Sequence, residues 1–295
     1  MTRPAYITPA ALQSFIQSAL AEDIGEGDHS TLGSIPRERE ASARLLVKEE
    51  CELAGIELAV EIFRAVDSRL AVELLKHDGD EVHPGDVAFI VSGRVQSILQ
   101  AERLVLNCLQ RMSGIATLTH RLARLIEGTG TVLMDTRKTT PNFRLAEKWA
   151  VAIGGGVNHR FALYDMVMLK DNHVDMGGGI TRAITSTRQY LAAINKPLRV
   201  EVETRNLAEV AEALQARPDV IMLDNMSLAD MQKAVALIGG VCKTEASGGI
   251  TEATIRAVAE CGVDYISVGA LTHSVKSVDL SLKVIKPDLG TLIKN

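Results

Sequence analysis

Between residues 9 and 22 the apolar side chains Leu12, Phe15, Ile16, Ala19 and Leu20 recur at helical spacing and fall on one face. Two glycines in "DIGEGD" at 23–28 end that pattern. From 41 to 93 the texture changes. "ARLLVKEECELAGIELAVEIF" and "LAVELLKHDGDEVHPGDVAFIVSG" mix short strands with turns at Asp78-Gly79 and Pro84-Gly85, which predicts a compact α+β unit. Ile98, Leu99, Glu102, Leu106, Leu109 and Met112 then repeat at three and four residues, predicting a helix over most of 95–126. Ser113-Gly114 is expected to interrupt it and to mark a domain boundary.

From residue 131 a different rhythm sets in. Short apolar runs, "TVLMDT", "MVMLKDN", "RVEVET", "VIMLDN", "KTEASGG" and "YISVGA", alternate with helical stretches at 144–152, 206–216, 227–238 and 251–261. Strands alternating with helices predict a parallel sheet, and six such units suggest closure into a β/α barrel. An open doubly wound sheet is the alternative. No G-x-G-x-x-G follows a first strand, which removes the dinucleotide-binding version.

Each predicted strand ends in a polar cluster: Arg137-Lys138, Lys170-Asp171-Asn172-His173, Glu201 with Glu203, Asp224-Asn225, Ser247-Gly248-Gly249, and Gly269-Ala270. In β/α barrels these ends converge on one mouth, where active sites sit. Arg137, Lys138, Lys170 and, from "GGGVNHR", His159 and Arg160 concentrate cations there, and such a cluster desolvates poorly unless an anion fills it. Glu203 and Asp224 offer hard oxygen ligands suited to Mg2+ held partly by substrate phosphates. Glu201 and Glu203, two apart on a strand, point to one face, with Val200 and Val202 on the other. Glycine at 248, 249 and 269 lets backbone amides approach a phosphate closely.

Plainer readings stand beside these. "GGGVNHR" could serve only as a flexible turn, Ser247 only as a helix cap, and His173 and His273 only as structural groups. Glu203 and Asp224 could merely balance Arg137 and Lys138, with no metal. Arg103 and Arg111 lie on the predicted helix, where an arginine is commonly just solvated.

Composition narrows the field. Hydrophobic residues make up 46% and charged residues 23% of 295, as in an ordinary soluble globular protein. Net charge is −5 and aromatics are 3%, so neither a global basic field nor a base-stacking surface points to nucleic acid. Cys51, Cys108, Cys242 and Cys261 are too scattered for a zinc or disulfide framework and are expected to be buried, reduced thiols. The first 30 residues lack the apolar core of a signal peptide, and no apolar run approaches the roughly 20 residues that span a bilayer. A cytoplasmic location, with no membrane partner, is expected.

"DTRKTTP", "GGGVNHR", "LKDNH", "EVE", "LDN", "SGGI" and "DYISVGALTHS" together resemble the quinolinate phosphoribosyltransferase family. "LAEDIGEGDHST", "DGDEVHPGD" and "AERLVLNCLQRMSGIAT" extend the resemblance, in order, over nearly the whole chain. It implies an α/β fold: an N-terminal α/β sandwich domain (1–113), an irregular β/α barrel (114–274), and a C-terminal segment (275–295) returning to the first domain. It implies conversion of quinolinate and phosphoribosyl pyrophosphate to nicotinate mononucleotide, pyrophosphate and CO2 with Mg2+, a step of NAD synthesis. Arg137, His159, Arg160 and Lys170 resemble the binders of the quinolinate carboxylates, with Thr136 beside them, and Lys138 the lysine that reaches both substrates. Glu203 and Asp224 match the pair near the ribose, the metal and the pyrophosphate; Ser247, Gly248, Gly249, Gly269 and Ala270 match segments that cradle a phosphate. Arg103 matches an arginine supplied to the neighbouring site across a homodimer, and assembly beyond the dimer is left open.

One departure stands out: after "TRKTTP" the family commonly has Gly-Leu-Arg, where this chain has Asn142-Phe143-Arg144. Asparagine tolerates left-handed backbone, so the loop shape is expected to survive. The rival readings are a same-fold paralogue associated with molybdenum transport, which tends to lose the "LKDNH" and "NHR" patterns kept here, and a non-catalytic anion-binding barrel, against which intact Lys138, Glu203 and Asp224 count. "DGDEVHPGD" also looks like a lipoyl- or biotinyl-type carrier turn, but His83-Pro84-Gly85 stands where a modified lysine would be needed.

Overall fold

A computed structural model of the chain describes residues 3–285. In chain order the elements are α1 (Pro9–Ile24), α2 (His29–Ser34), β1 (Glu40–Val47), β2 (Cys51–Glu52), α3 (Ile56–Val66), β3 (Ala71–Leu74), β4 (Glu81–Val82), β5 (Val87–Arg94) and α4 (Val95–Leu125). They continue as β6 (Val132–Met134), α5 (Arg144–Ile153), β7 (Val167–Leu169), α6 (Asp171–Gly177), α7 (Ile180–Ala193), β8 (Val200–Thr204) and α8 (Leu207–Ala216). The last are β9 (Val220–Asp224), α9 (Leu228–Ile238), β10 (Lys243–Ser247), α10 (Ile255–Ala259), β11 (Tyr265–Ser267), α11 (Ala270–His273) and β12 (Leu280–Ile285).

By packing, the described residues form two units: residues 3–118, 140–154 and 275–285, and residues 119–139 with 155–274. The first is built on an antiparallel sheet in the order β12-β1-β5-β3. Its apolar positions meet α3, which presents Ile56, Leu58, Ala59, Ile62 and Phe63 as one buried stripe. Phe63 and Phe89 meet edge to face at 5.7 Å. The turn of "DGDEVHPGD" has a structural use. The Asp78 carboxylate accepts the amides of Gly55, Ile56 and Glu57 and so caps the positive end of α3.

Helix α4 runs unbroken through Ser113-Gly114, contrary to the interruption expected from sequence. Packing explains the pair instead. Ser113 Oγ accepts the Ala54 amide at 3.0 Å, and a side chain at Gly114 would collide with the backbone carbonyl of Lys276. The expected boundary at 113/114 therefore falls inside a helix that stays with the first unit to Leu118. The tail does return to this unit: β12 pairs antiparallel with β1, Leu282 opposite Leu45. The remainder of the expected C-terminal segment, 286–295, lies outside the described residues.

The second unit carries a parallel six-stranded sheet ordered β6-β11-β10-β9-β8-β7. The six predicted strands are all present, shorter than their sequence windows. No ladder joins β7 to β6 among the described residues; only a bridge from Met134 to Val157 continues the edge. Helix α5, which follows β6 in the chain, belongs to the first unit, where it buries Ala146, Trp149, Ala150 and Ile153 and where Glu147 pairs with Arg111 at 2.9 Å. The crossover that would cover the sheet between β6 and β7 is thus used elsewhere.

Cys51, Cys108 and Cys261 are buried and Cys242 is half-exposed, a correction to the expectation of four buried thiols; all four are unpaired. Burial pushes the Cys51 and Cys108 thiols up to about 12, so both stay protonated. No helix among the described residues is long and apolar enough to cross a membrane.

Candidate active site

The strands of the second unit deliver their polar ends to one cavity of about 520 Å3. Its wall includes Thr136, Arg137 and Lys138 after β6, His159 and Arg160 from the following loop, and Lys170 at the end of β7. Glu203 of β8, Asp224 and Asn225 at the end of β9, and Ser247, Gly248 and Gly249 after β10 complete the ring. In-register parallel pairing is what aligns them: Ser247 lies opposite Asp224, and Glu203 opposite Met222.

The turn after β6 is tied locally. The Lys138 amide donates to Thr136 Oγ1 at 3.0 Å, and Thr272 Oγ1 donates to the Lys138 carbonyl at 2.8 Å. The Asp135 side chain is fully buried and does not face a ligand. It accepts the His159 amide at 2.8 Å and the Asn158 side-chain amide at 2.7 Å, locking "DTRK" to "NHR".

The cations are poorly compensated. Arg137 Nε is buried without an acceptor, and neither Arg137 nor Lys138 has an ion-pair partner among the described residues. Burial, and then the nearby charge of Arg137, lower the Arg160 pKa below the usual guanidinium value. Lys170 Nζ is paired with Glu203 Oε1 at 2.8 Å. An anionic ligand that meets Arg137 and Arg160 relieves both a missing hydrogen bond and a like-charge repulsion.

Two sets of side chains could hold a metal. Glu203 and Asp224 present carboxylate oxygens to the open cavity, a donor set that suits a hard cation sharing its remaining positions with substrate oxygens. His159, Glu201 and Glu245 also cluster, with ligand atoms within 4.8 Å of one another. The Arg160 amide, however, donates to His159 Nδ1 at 2.6 Å, which places the ring proton on Nε2, the atom that a metal there would need. The open pair is the set whose donors suit a cation, with Glu203 Oε1 shared with Lys170; the buried cluster is not.

The buried cluster holds on to protons instead. Burial raises the Glu201 pKa to about 7, with Glu245 adding to the rise. Burial works against a proton at His159, but the nearby oxygens and charge of Glu201 and Glu245 outweigh it and raise the group's hold on protons. With Nδ1 occupied by the amide, the retained protons lie among Nε2 and the two carboxylates.

Glycine is required at position 248: its φ is +94°, and a side chain there would overlap the Asn225 carboxamide. Asn225 itself has φ 53° and donates its amide to the Ser247 carbonyl at 2.9 Å, so β9 and β10 end in one interlocked cradle. Ser247 is not a helix cap; its hydroxyl accepts from Ser267 Oγ at 3.1 Å. His173 is structural, its Nδ1 accepting the Lys170 amide at 3.0 Å.

Most of the residues singled out from sequence therefore meet in one place. Gly269 and Ala270 do not line the cavity; they start α11, with Gly269 against Lys138 and His273. Arg103 is exposed on α4 in the first unit. Sequence reasoning missed Met168, Met222, Glu245 and Ser267 as lining residues. The two methionines read as core in an apolar strand, and Glu245 lies within "KTEAS", which has no alternation to reveal a face.

Residues 28–113 match the family described as quinolinate phosphoribosyl transferase, N-terminal domain, and residues 115–283 the corresponding C-terminal domain. Quinolinate phosphoribosyltransferase [decarboxylating] 1b of Nicotiana tabacum is 47% identical over 289 residues, covering 92% of this chain and 82% of that protein. The chloroplastic nicotinate-nucleotide pyrophosphorylase [carboxylating] of Arabidopsis thaliana is similar at 47%, with the same coverage. Among solved structures, NadC from Streptococcus pyogenes superposes with a TM-score of 0.88 at 40% identity, covering 95% of this chain and 99% of its own.

Proposed function

The chain belongs to the quinolinate phosphoribosyltransferase family, and from that premise we infer how its cavity carries out the family reaction. The protein is a pentosyltransferase of NAD biosynthesis: it joins quinolinate to the phosphoribosyl group of phosphoribosyl pyrophosphate, releasing pyrophosphate and CO2 and leaving nicotinate mononucleotide.

The observation that carries the site assignment is the pair of neighbouring guanidiniums Arg137 and Arg160 on the cavity wall, with Arg137 Nε left without an acceptor. Two carboxylates on adjacent ring carbons supply the paired negative charge these guanidiniums lack, with Lys170 as a third cation. Met168 and Met222 give the pyridine ring an apolar, polarizable surface between them. Lys138, held at the turn after β6, reaches towards the departing pyrophosphate and offsets its charge. Glu203 and Asp224 face the sugar, where positive charge builds on the anomeric carbon as the pyrophosphate leaves. The ring nitrogen attacks that carbon. The pyridinium so formed stabilises the carbanion left when the adjacent carboxylate departs as CO2, and a proton from solvent then takes the carboxylate's place. Asn225, Ser247, Gly248 and Gly249 are the phosphate cradle. Glu203 and Asp224 would hold Mg2+, which when bound offsets pyrophosphate charge.

The assembly we propose is a homodimer in which Arg103, exposed on α4, enters the neighbouring copy's site. A reducing, cytoplasmic setting accords with four unpaired cysteines.

The test is formation of nicotinate mononucleotide from quinolinate, phosphoribosyl pyrophosphate and Mg2+, with nicotinate as parallel substrate. Turnover with quinolinate alone is expected, and Lys138→Ala should lower kcat by about a hundredfold or more with the fold retained. Turnover of nicotinate at a comparable rate would overturn the diacid assignment, and an active Lys138→Ala protein would remove that lysine's role.

A further inference from the structure

At the buried side of the cavity, with His159 and Glu245 in its lining, lies a group of ionisable side chains that the reaction scheme does not use. His159 Nε2 is 3.0 Å from Glu201 Oε2 and 3.3 Å from Glu245 Oε2, with side-chain exposures of 4%, 0% and 1%. Two carboxylates beside an anion-binding pocket work against its purpose through repulsion, and buried ions are costly in any case. Apolar side chains would fill the same space at less cost, so stability alone does not explain them.

The connections around His159 suggest a use. Its Nδ1 accepts the Arg160 amide at 2.6 Å, and its Nε2 lies within 3.3 Å of an oxygen of each acid, so the ring sits between the Arg160 backbone and the two carboxylates. Arg160 is the next residue in the chain, and its guanidinium donates to the Met166 carbonyl at 3.1 Å at the cavity edge. The backbone amide of His159 is held separately by Asp135. Ring and backbone are thus fixed from opposite sides, and what they fix between them is the start of the Arg160 side chain. Glu245 comes from β10, opposite Met222 of β9 and Tyr265 of β11, so the sheet itself sets its place.

We propose that Glu245, together with Glu201, is a positioning residue for quinolinate binding: the two carboxylates hold His159 as the Nε2–H tautomer, and His159 holds Arg160 in the orientation that meets the substrate. The inference rests on the reading of the cavity as a quinolinate site.

The test has one readout independent of turnover. Nitrogen-15 spectra of the histidine rings of the full chain should contain an Nε2–H tautomer, assigned to His159 by its loss in His159→Gln. In Glu245→Ala that signature should change, KM for quinolinate should rise about tenfold, and KM for phosphoribosyl pyrophosphate should stay within about twofold. Glu245→Gln, which keeps an acceptor oxygen, should recover most of the quinolinate KM. An Nδ1–H ring or a doubly protonated ring at His159 in the unmodified protein would overturn the proposal, even if Glu245→Ala failed to fold. So would an unchanged quinolinate KM in Glu245→Ala, or both KM values rising together without recovery in Glu245→Gln. If quinolinate is not turned over at all, the proposed reaction fails while the tautomer assignment is still decided by the spectra.

Discussion

Arg137 and Arg160 owe their chemistry to what is missing around them. An arginine on an open surface is solvated and asks for nothing, but a buried Nε without an acceptor, beside a second guanidinium, makes an anion the natural complement. Behind them the proton-retaining group sets a pH dependence whose sign follows directly. Glu201 is raised from 4.5 to about 7, so the folded protein binds more protons than the unfolded chain between those limits. Stability from this group is present at the acid end of that range and is lost as pH rises through about 7. The fall of the urea midpoint as pH rises through about 7 should therefore be smaller in Glu201→Gln, which cannot ionise; equal slopes in the two proteins would contradict the assignment.

Among the elements, the loops between strands and helices carry the instructive substitutions. Asn142 has φ 62°, the left-handed conformation that asparagine tolerates better than most residues. Phe143 beside it packs against Phe15 at 5.6 Å, an anchor that smaller side chains would not provide. Asn142→Gly should be close to neutral and Asn142→Ala should cost about 1 kcal/mol, read from denaturation midpoints. Gly114 shows the opposite case, a glycine in a helix interior kept for close packing. Gly114→Ala, favourable on helix propensity by roughly 1 kcal/mol, should instead destabilise the protein, because its methyl meets the Lys276 carbonyl.

For the molecule as a whole, the proposed dimer makes the site a shared object. Arg103→Ala and Lys138→Ala chains should each be nearly inactive alone. Unfolded and refolded together, they should regain about a quarter of the unmodified activity, since half the random dimers hold one intact site of two. Failure to regain activity, with mixed dimers present, would rule out sharing through Arg103.

The sequence by itself determined the six strands of the second unit, the helices between most of them, and the cationic strand ends with their facing acids. These are local signals: apolar runs, turn residues and charge written within a few positions of one another. Position 142 belongs with them, because a backbone preference is a property of one residue. Only the tertiary structure decided where Ser113-Gly114 leads, since the reason for that glycine is a carbonyl far along the chain. Only it assigned α5 to the first unit and left β6 and β7 at the two edges of the described sheet. And only it brought Glu245 to His159, because a buried acid on an apolar strand has no local pattern to announce it; its meaning is the partner that three-dimensional packing places 3.3 Å away.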